Sequence, residues 1–302
     1  MDRYYWGVDL GGTKIECAVM CRETDTCVVR ERVPTEGDLG YRHVLDNIRL
    51  LIDKCAEKVG EYPSRIGFGT PGTLDPQTGV MKNCNSTHLN GQPLDKDLRI
   101  MLDCEVVLAN DANCFALAEA ELGAVKQQVP DAKVVFGIIL GTGVGGGLVV
   151  NGQLIGGHHG IGGEWGHNRL ACEDAVDCYC GRQGCVETVI SGPALERFYR
   201  NLAGESLSLK EIAIKAAQGD GYACHTINHL IERFGEAMAS VINVIDPDAI
   251  VIGGGVGNID ALYQFGPSAI EKYLFNPVFS AKLLKPELGD SAGVFGAARL
   301  VK

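Results

Sequence analysis

Three apolar, β-prone segments of the chain each end in a cluster of glycines. The segments are 6–10, 134–140 and 249–252, and the clusters that follow them are 11–12, 141–147 and 253–255. Glycine lets backbone amides come close to a ligand and adopts positive φ at little cost. After the first two clusters the sequence is β-prone again, at 15–20 and 148–150. We therefore predict glycine loops that join strand to strand.

Helical periodicity fills the intervals between these strands. Apolar positions recur at helical spacing in 43–59, 112–122, 192–202 and 223–244. The pattern predicts two α/β lobes, each opened by a glycine hairpin, and its repetition indicates internal duplication with a ligand cleft between lobes. The predicted domains are a small one, 1–117 with a C-terminal helix at 291–302, and a large one, 118–290.

The second glycine cluster also matches the dinucleotide-binding pattern. Gly141, Gly143 and Gly146 satisfy G-x-G-x-x-G, and Glu164 follows about twenty residues later. That motif requires a helix directly after the loop, because the helix N-terminus meets the phosphates. Here the hairpin pair Asn151-Gly152 follows instead, so the Rossmann interpretation is disfavoured.

Composition narrows the classes of partner. The chain has 302 residues, 46% of them apolar, which is enough for two cores. A net charge of -11 without a basic cluster argues against nucleic-acid binding. Neither a leader nor a long apolar run is evident, so we expect a cytoplasmic protein without a membrane partner. The 12 cysteines are then expected to be reduced or metal-bound.

The first glycine loop follows a carboxylate. Asp9 ends the first strand, and the small residues after it could turn amides and a hydroxyl toward phosphate oxygens, with Asp9 holding Mg²⁺ or its water. An ordinary hairpin with a solvated Asp9 is the alternative. The second glycine loop, a predicted partner, favours the phosphate-binding interpretation.

A second carboxylate stands where a strand gives way to a helix. Asn110 and Asp111 follow the β-prone segment 105–109. Asp111 could be only a helix N-cap. It could instead be the general base that accepts a hydroxyl proton during phosphoryl transfer, with the Asn110 amide orienting a sugar.

A cysteine-rich segment predicts a metal site. Cys178, Cys180 and Cys185, with His167 upstream, can supply the four ligands of a closed tetrahedral zinc site, whose role would be structural. Cys172 is a spare ligand that could replace one of them. Three free thiols remain the alternative.

Two carboxylates flank the predicted zinc site. Glu164 and Glu187 could accept hydrogen bonds from sugar hydroxyls on a loop stiffened by the metal. We therefore expect loss of zinc to impair sugar binding while nucleotide binding survives.

These motifs resemble those of the ROK family, named for repressors, open reading frames and kinases, over essentially the whole chain. The resemblance implies an α/β, actin-like ATPase (ribonuclease H-like) duplicated two-domain fold with a central cleft. It also implies ATP, Mg²⁺ and structural Zn²⁺ as cofactors, a hexose as the partner, and a possible homodimer.

The resemblance assigns roles residue by residue. The implied ATP and Mg²⁺ residues are Asp9, Gly11, Gly12, Thr13, Lys14, Gly141, Thr142, Gly143, Gly253, Gly254 and Gly255. The implied sugar residues are Gly72, Asn85, Asn110, Asp111, Glu164, His167 and Glu187, of which Asp111 is the catalytic base. The implied zinc ligands are His167, Cys178, Cys180 and Cys185.

Within the family, residues 78–98 look most like bacterial fructokinases with mannokinase activity. The expected reaction is therefore transfer of the ATP γ-phosphoryl group to the 6-hydroxyl of fructose, and also of mannose. N-acetylglucosamine kinase and glucokinase of the same family are the alternatives, because they share every motif above. A sugar-responsive repressor is a remote alternative, since Asp9 already lies in the first phosphate loop and leaves no residues for a DNA-reading helix.

Overall fold

The computed structural model describes residues 2–171 and 175–302. Its strands are β1 Tyr4–Leu10, β2 Lys14–Cys21, β3 Cys27–Pro34, β4 Arg65–Thr70, β5 Thr73–Leu74, β6 Met81–Lys82, β7 Glu105–Asn110, β8 Val134–Leu140, β9 Val144–Val150, β10 Gln153–Leu154, β11 Ala249–Gly253 and β12 Lys282–Leu284. Its helices are α1 Tyr41–Val59, α2 Leu94–Leu102, α3 Asp111–Glu121, α4 Ala124–Gln128, α5 Glu187–Ile190, α6 Gly192–Ala203, α7 Leu209–Ala217, α8 Gly221–Ile245, α9 Asp260–Glu271 and α10 Ala292–Arg299.

The chain divides into two units. Unit 1 comprises Met1–Leu122, Gln153–Gly162 and Leu288–Lys302, and unit 2 comprises Gly123–Gly152 and Gly163–Glu287. The sequence analysis placed the division at 117/118 and assigned 153–162 to the large domain. The structure draws it differently, because α3 continues unbroken to Glu121 and because Thr73 Oγ1 donates a hydrogen bond to the Gly160 carbonyl (3.0 Å) within unit 1.

Unit 1 is built on a mixed sheet with strand order β3-β2-β1-β4-β7. Strand β1 is antiparallel to β2 and parallel to β4, and β4 is parallel to β7. Helix α10 packs closely on β4, since a Cβ atom on Gly67 would lie 1.9 Å from the Ala297 carbonyl oxygen. A side chain there would push the helix away, so glycine is required for this contact.

Unit 2 repeats the same plan, with β9-β8-β11-β12 as adjacent strands. Strand β8 is antiparallel to β9 and parallel to β11, and β11 is parallel to β12. The long helix α8 packs against α9, and its buried Phe234 and Met238 join Phe136 and Ile250 of the sheet in one apolar core. The shared arrangement of a hairpin followed by parallel strands is the internal duplication predicted from sequence.

Both glycine loops join two antiparallel strands, as the sequence predicts. In the first, the Gly11 N–H donates to the Lys14 carbonyl (3.0 Å), and in the second the Gly141 N–H donates to the Gly143 carbonyl (2.9 Å). The residues after the second loop form β9 rather than a helix, so the Rossmann interpretation is excluded.

The sequence also held no apolar run of membrane-spanning length. Among the residues that the structure describes, no helix is both long and apolar enough to cross a bilayer.

Candidate active site

The candidate site of unit 1 lies at the carboxyl ends of three parallel strands. Asp9 on β1 is opposite Gly69 on β4, and Thr70 on β4 is opposite Asn110 on β7. Parallel neighbours end at the same edge of a sheet, which is where ligands bind in open α/β folds. The predicted residues Asp9 and Asn110 are therefore brought to one edge.

Asn110, and not Asp111, caps helix α3. The Asn113 N–H donates to Asn110 Oδ1 (2.7 Å), which satisfies one of the unpaired donors of the first turn. Asp111 is the first helical residue, and its Oδ1 accepts a hydrogen bond from the Ala112 N–H (2.8 Å). The cap interpretation of Asp111 is thus wrong, and the Asn110 side chain retains its Nδ2 group as a donor for a ligand.

The two aspartates of this edge have raised pKa values. Burial, followed by the charges of Asp111 and Glu16, raises the pKa of Asp9 to about 6, against the opposing effect of Lys14. Burial also raises the pKa of Asp111, against the bond from Ala112, although the Asp111 side chain keeps exposed surface. A cation beside Asp9 would offset the repulsion between its carboxylate and those of Asp111 and Glu16. These residues therefore fit Mg²⁺.

Thr35 holds the first glycine loop, the predicted phosphate loop, in shape. Its N–H donates to the Thr13 carbonyl (2.9 Å), and its Oγ1 donates to the Gly11 carbonyl (2.7 Å). Thr35 is only 1% exposed. Because Thr35 donates to two carbonyls of the loop, these bonds hold the loop in one conformation. The sequence analysis missed Thr35, whose sole sequence signal is a hydroxyl residue after the edge strand β3.

Glu16 is a second residue that sequence reasoning missed. This carboxylate on β2 is 1% exposed and bonds to Lys14 (3.2 Å), Arg32 (3.3 Å) and Arg30. Burial would raise the pKa of Glu16, but hydrogen bonds from Arg30 and Lys14 outweigh it, and the pKa is lowered. Lys14, a predicted ATP ligand, is therefore held by a buried partner on the strand behind the loop.

The predicted sugar residues Gly72 and Asn85 lie in neighbouring turns of unit 1. A Cβ atom on Gly72 would lie 2.5 Å from Cys84 Sγ, so only glycine permits this approach. Asn90 accepts a hydrogen bond from the Cys84 N–H (2.9 Å) and donates one to its carbonyl (3.1 Å), which fixes the residue before Asn85. Asn85 itself is exposed and accessible to a ligand.

In unit 2, the second glycine loop borders a large cavity. The cavity has a volume of about 1250 Å³, and its lining includes Gly141, Thr142 and Gly255. The Gly253–Gly255 turn lies directly against the loop, since Gly254 has φ 83° and a Cβ there would be 2.3 Å from the Leu140 carbonyl oxygen. Three of the predicted nucleotide residues of this unit therefore line one cavity, and Gly254 packs directly against the loop at its edge.

The four predicted zinc ligands converge in unit 2. Their ligand atoms all lie within 4.8 Å of one another. Cys178 Sγ is 3.6 Å from His167 Nδ1, and Cys180 Sγ is 3.6 Å from Cys185 Sγ. Tetrahedral zinc with ordinary bond lengths places its ligand atoms about 3.6–3.8 Å apart, so the donor set fits this metal.

The surroundings of His167 also fit a metal ligand. Its Nε2 is 3.0 Å from the Tyr179 hydroxyl, so the ring can donate there while Nδ1 faces the three thiols. The described cysteines are all free thiols. Cys172, the predicted spare ligand, lies outside the described residues.

Glu164 and Glu187 flank the metal cluster in sequence, but the structure places the two carboxylates in different surroundings. Glu164 is half-buried before the short turn Trp165–His167. Glu187 begins α5, and its Oε2 accepts a hydrogen bond from the Val144 N–H (2.9 Å), directly after the second glycine loop. Sequence reasoning gave Glu187 a role toward sugar alone and did not find this bond.

Comparisons with known proteins agree with this architecture. The model of the ROK family matches residues 5–302. N-acetyl-D-glucosamine kinase of Haemophilus influenzae (strain 86-028NP) is 39% identical over 98% of both chains. The crystal structure of ROK hexokinase from Thermus thermophilus superposes with a TM-score of 0.87 at 31% identity, over 98% of this chain and 97% of that one.

A third relative is a ROK family glucokinase from Streptomyces griseus, solved in complex with glucose and AMPPNP. It superposes with a TM-score of 0.76 at 29% identity over 98% of both chains. The predicted fold class, a duplicated actin-like α/β fold, is confirmed by these likenesses together with the two matching sheets. The chain belongs to the ROK family.

Proposed function

We propose that this chain is an ATP-dependent hexose kinase that phosphorylates the 6-hydroxyl of N-acetylglucosamine. The observation that carries the proposal is the pairing of Asp111, at the start of α3, with Asp9 at the end of β1. Both have raised pKa values, and Asp9 precedes a loop that Thr35 holds in shape. A base, a cation ligand and a phosphate loop on one sheet edge are the parts that phosphoryl transfer needs.

Asp111 is the proposed catalytic base. It accepts the proton of the 6-hydroxyl as that oxygen bonds to the γ-phosphorus, while the bond from the γ-phosphorus to the bridging oxygen breaks and ADP leaves. A raised pKa strengthens Asp111 as a proton acceptor. Asn110 Nδ2 would donate to a sugar oxygen, and Asp9 would hold Mg²⁺, which when bound neutralises phosphate charge.

The proposed binding residues are those expected from sequence. ATP and Mg²⁺ are assigned to Asp9, Gly11, Gly12, Thr13, Lys14, Gly141, Thr142, Gly143, Gly253, Gly254 and Gly255. The sugar is assigned to Gly72, Asn85, Asn110, Asp111, Glu164, His167 and Glu187, and structural zinc to His167, Cys178, Cys180 and Cys185. The homodimer stays a prediction.

The proposed substrate differs from the one expected at first. Residues 78–98 suggested fructose, with mannose second, but the relatives reported above are named N-acetyl-D-glucosamine kinase, hexokinase and glucokinase. The relative with 39% identity over nearly the whole chain supports N-acetylglucosamine, which was the stated alternative.

The position of phosphorylation is the direct test of this chemistry. Wild-type protein incubated with Mg-ATP and N-acetylglucosamine should give a product whose ³¹P resonance correlates with the two protons on C6. A product phosphorylated on another hydroxyl, or no phosphorylated sugar at all, would contradict the proposal. N-acetylglucosamine already carrying a 6-phosphate serves as the matched negative substrate.

A further inference from the structure

The carboxylate of Glu187 lies against the second phosphate loop within unit 2. Its Oε2 accepts the Val144 N–H at 2.9 Å. A Cβ atom on Gly143 would lie 2.5 Å from the same oxygen. Gly143 is outside the set of glycines with positive φ, so a methyl group there would displace the Glu187 carboxylate without straining the backbone.

Other residues of the zinc-bearing segment contact the same stretch of β9. Trp165 Nε1 donates to the Gly145 carbonyl (3.0 Å). A Cβ atom on Gly166 would lie 2.1 Å from the Val144 carbonyl oxygen, so the two backbones are in direct contact. Val144 is therefore contacted on two sides: its N–H donates to Glu187, and its carbonyl packs against the backbone of Gly166. These contacts join the predicted metal-binding segment to the end of the phosphate loop.

We propose that Glu187 is a positioning residue for the second phosphate loop and sets nucleotide affinity even when no sugar is bound. The bond to Val144 fixes the peptide that follows Gly143, and so holds the loop in one conformation before the nucleotide arrives. Because the loop is already ordered, nucleotide binding does not have to supply the free energy of ordering it, and the affinity is higher. The inference rests on the proposed function in that this loop binds nucleotide phosphates, and its extension to substrate coupling rests also on Glu187 binding the sugar.

The same carboxylate gives a physical route for coupling the two substrates. A carboxylate has two oxygens, so one can accept the Val144 N–H while the other accepts a sugar hydroxyl. A sugar hydroxyl bonded to Glu187 would hold the carboxylate, and with it the loop, more firmly than the Val144 bond does alone. Because binding free energies are linked reciprocally, the sugar should raise nucleotide affinity by the same factor by which nucleotide raises sugar affinity.

Calorimetric titration with Mg-ADP in the absence of sugar tests the inference. The variants are Glu187→Ala, which removes the acceptor, and Glu187→Gln, whose amide oxygen can still accept the Val144 N–H. Thr188→Val is the matched control, because Thr188 follows Glu187 in α5 but its hydroxyl donates to the backbone carbonyl of Cys185 (2.8 Å) and not to the loop. Zinc content and circular dichroism are recorded for each variant, so that folding is followed separately.

We expect Glu187→Ala to weaken Mg-ADP binding about tenfold or more, and Glu187→Gln and Thr188→Val to bind nearly as wild type does. Gly143→Ala provides a second arm that does not depend on how Glu187→Ala folds, since its methyl group would displace the carboxylate from Val144. It should weaken Mg-ADP binding in the same direction.

Two results would overturn the inference while leaving the kinase proposal standing. These are unchanged Mg-ADP affinity in Glu187→Ala or in Gly143→Ala, or a loss in Glu187→Gln as large as in Glu187→Ala. Wild-type protein that binds no Mg-ADP would instead contradict the proposed function itself.

Discussion

Asn110 Oδ1 accepts a hydrogen bond from the Asn113 N–H at 2.7 Å, and this bond starts helix α3. Because Asn110 supplies the cap, the carboxylate of Asp111 does not have to. The first helical residue is thereby available for chemistry, at the end of a parallel strand and beside Asp9. The proposed base and its supporting cap are adjacent in sequence, which fixes their relative positions.

Replacing Asp111 by Asn should remove the base and preserve the shape of the side chain. We expect turnover to fall by about 10² or more, with little change in sugar affinity. Steady-state kinetics and sugar titration measure the two effects. Asp103→Asn is the control, since Asp103 is exposed, has φ 51°, and Asn tolerates that conformation. Near-normal turnover in Asp111→Asn would leave the reaction without its assigned base.

The pKa of Asp9 predicts a pH dependence for cation binding. With a pKa of about 6, Asp9 is mostly protonated below that pH and ionised above it, so Mg²⁺ affinity should rise as pH increases through about 6. In Asp111→Asn a neighbouring negative charge is lost, so the transition should move to lower pH. Carboxyl ¹³C NMR titration, with Asp9 assigned by Asp9→Asn, reports both midpoints. A wild-type midpoint near 4 would contradict the burial argument.

The metal site predicts one zinc per chain. Cys180→Ser should lower the zinc content and the stability of unit 2, because a closed four-ligand site contributes folding free energy to its segment. Cys27→Ser is the control, since Cys27 is an exposed thiol outside the cluster. From the sequence we expected nucleotide binding to survive loss of zinc; if Glu187 holds the loop through Val144 as proposed, Mg-ADP affinity should fall as well. Full zinc content in Cys180→Ser, by elemental analysis, would remove Cys180 from the ligand set.

Substitutions of Thr35 should show whether its hydrogen bonds matter for nucleotide binding by the loop as well as for the stability of the fold. Thr35→Val deletes the donor to the carbonyl of the half-buried Gly11, which should reduce the free energy of unfolding by about 0.5–1.5 kcal/mol and raise the KM for Mg-ATP. Thr35→Ser keeps the hydroxyl and should restore most of both quantities. Denaturant unfolding and initial-rate kinetics supply the two readouts. An unchanged KM for Mg-ATP in Thr35→Val would show that the loop does not depend on this bond.

The features predicted correctly are local in sequence. The hairpins that carry the two glycine loops follow from β-prone segments interrupted by glycine. The convergence of Cys178, Cys180 and Cys185 was predicted from their C-x-C and C-x₄-C spacing, which lets three thiolates of one loop reach the same zinc ion. Patterns of this kind are written within one element or one turn, so one sequence is enough to find them.

The features that were missed depend on contacts between distant segments. Glu16 is buried against Arg30 and Arg32 because of the register between β2 and β3. Glu187 meets Val144 across 43 positions of sequence. Neither the pairing partner nor the direction of a side chain can be read from residue types alone. Contacts of this kind become visible only when the tertiary structure brings the two segments together.

N-acetylglucosamine is the proposed phosphoryl acceptor. The most direct measurement is kcat/KM by coupled ADP release with N-acetylglucosamine, glucose, mannose and fructose at equal Mg-ATP, with a sugar-free reaction as the blank. We expect the highest kcat/KM for N-acetylglucosamine, by about tenfold or more over fructose, which corresponds to at least about 1.4 kcal/mol of transition-state discrimination. A higher kcat/KM for fructose than for N-acetylglucosamine would contradict the substrate assignment, and no ADP release above the sugar-free blank with any of the four sugars would contradict the kinase itself.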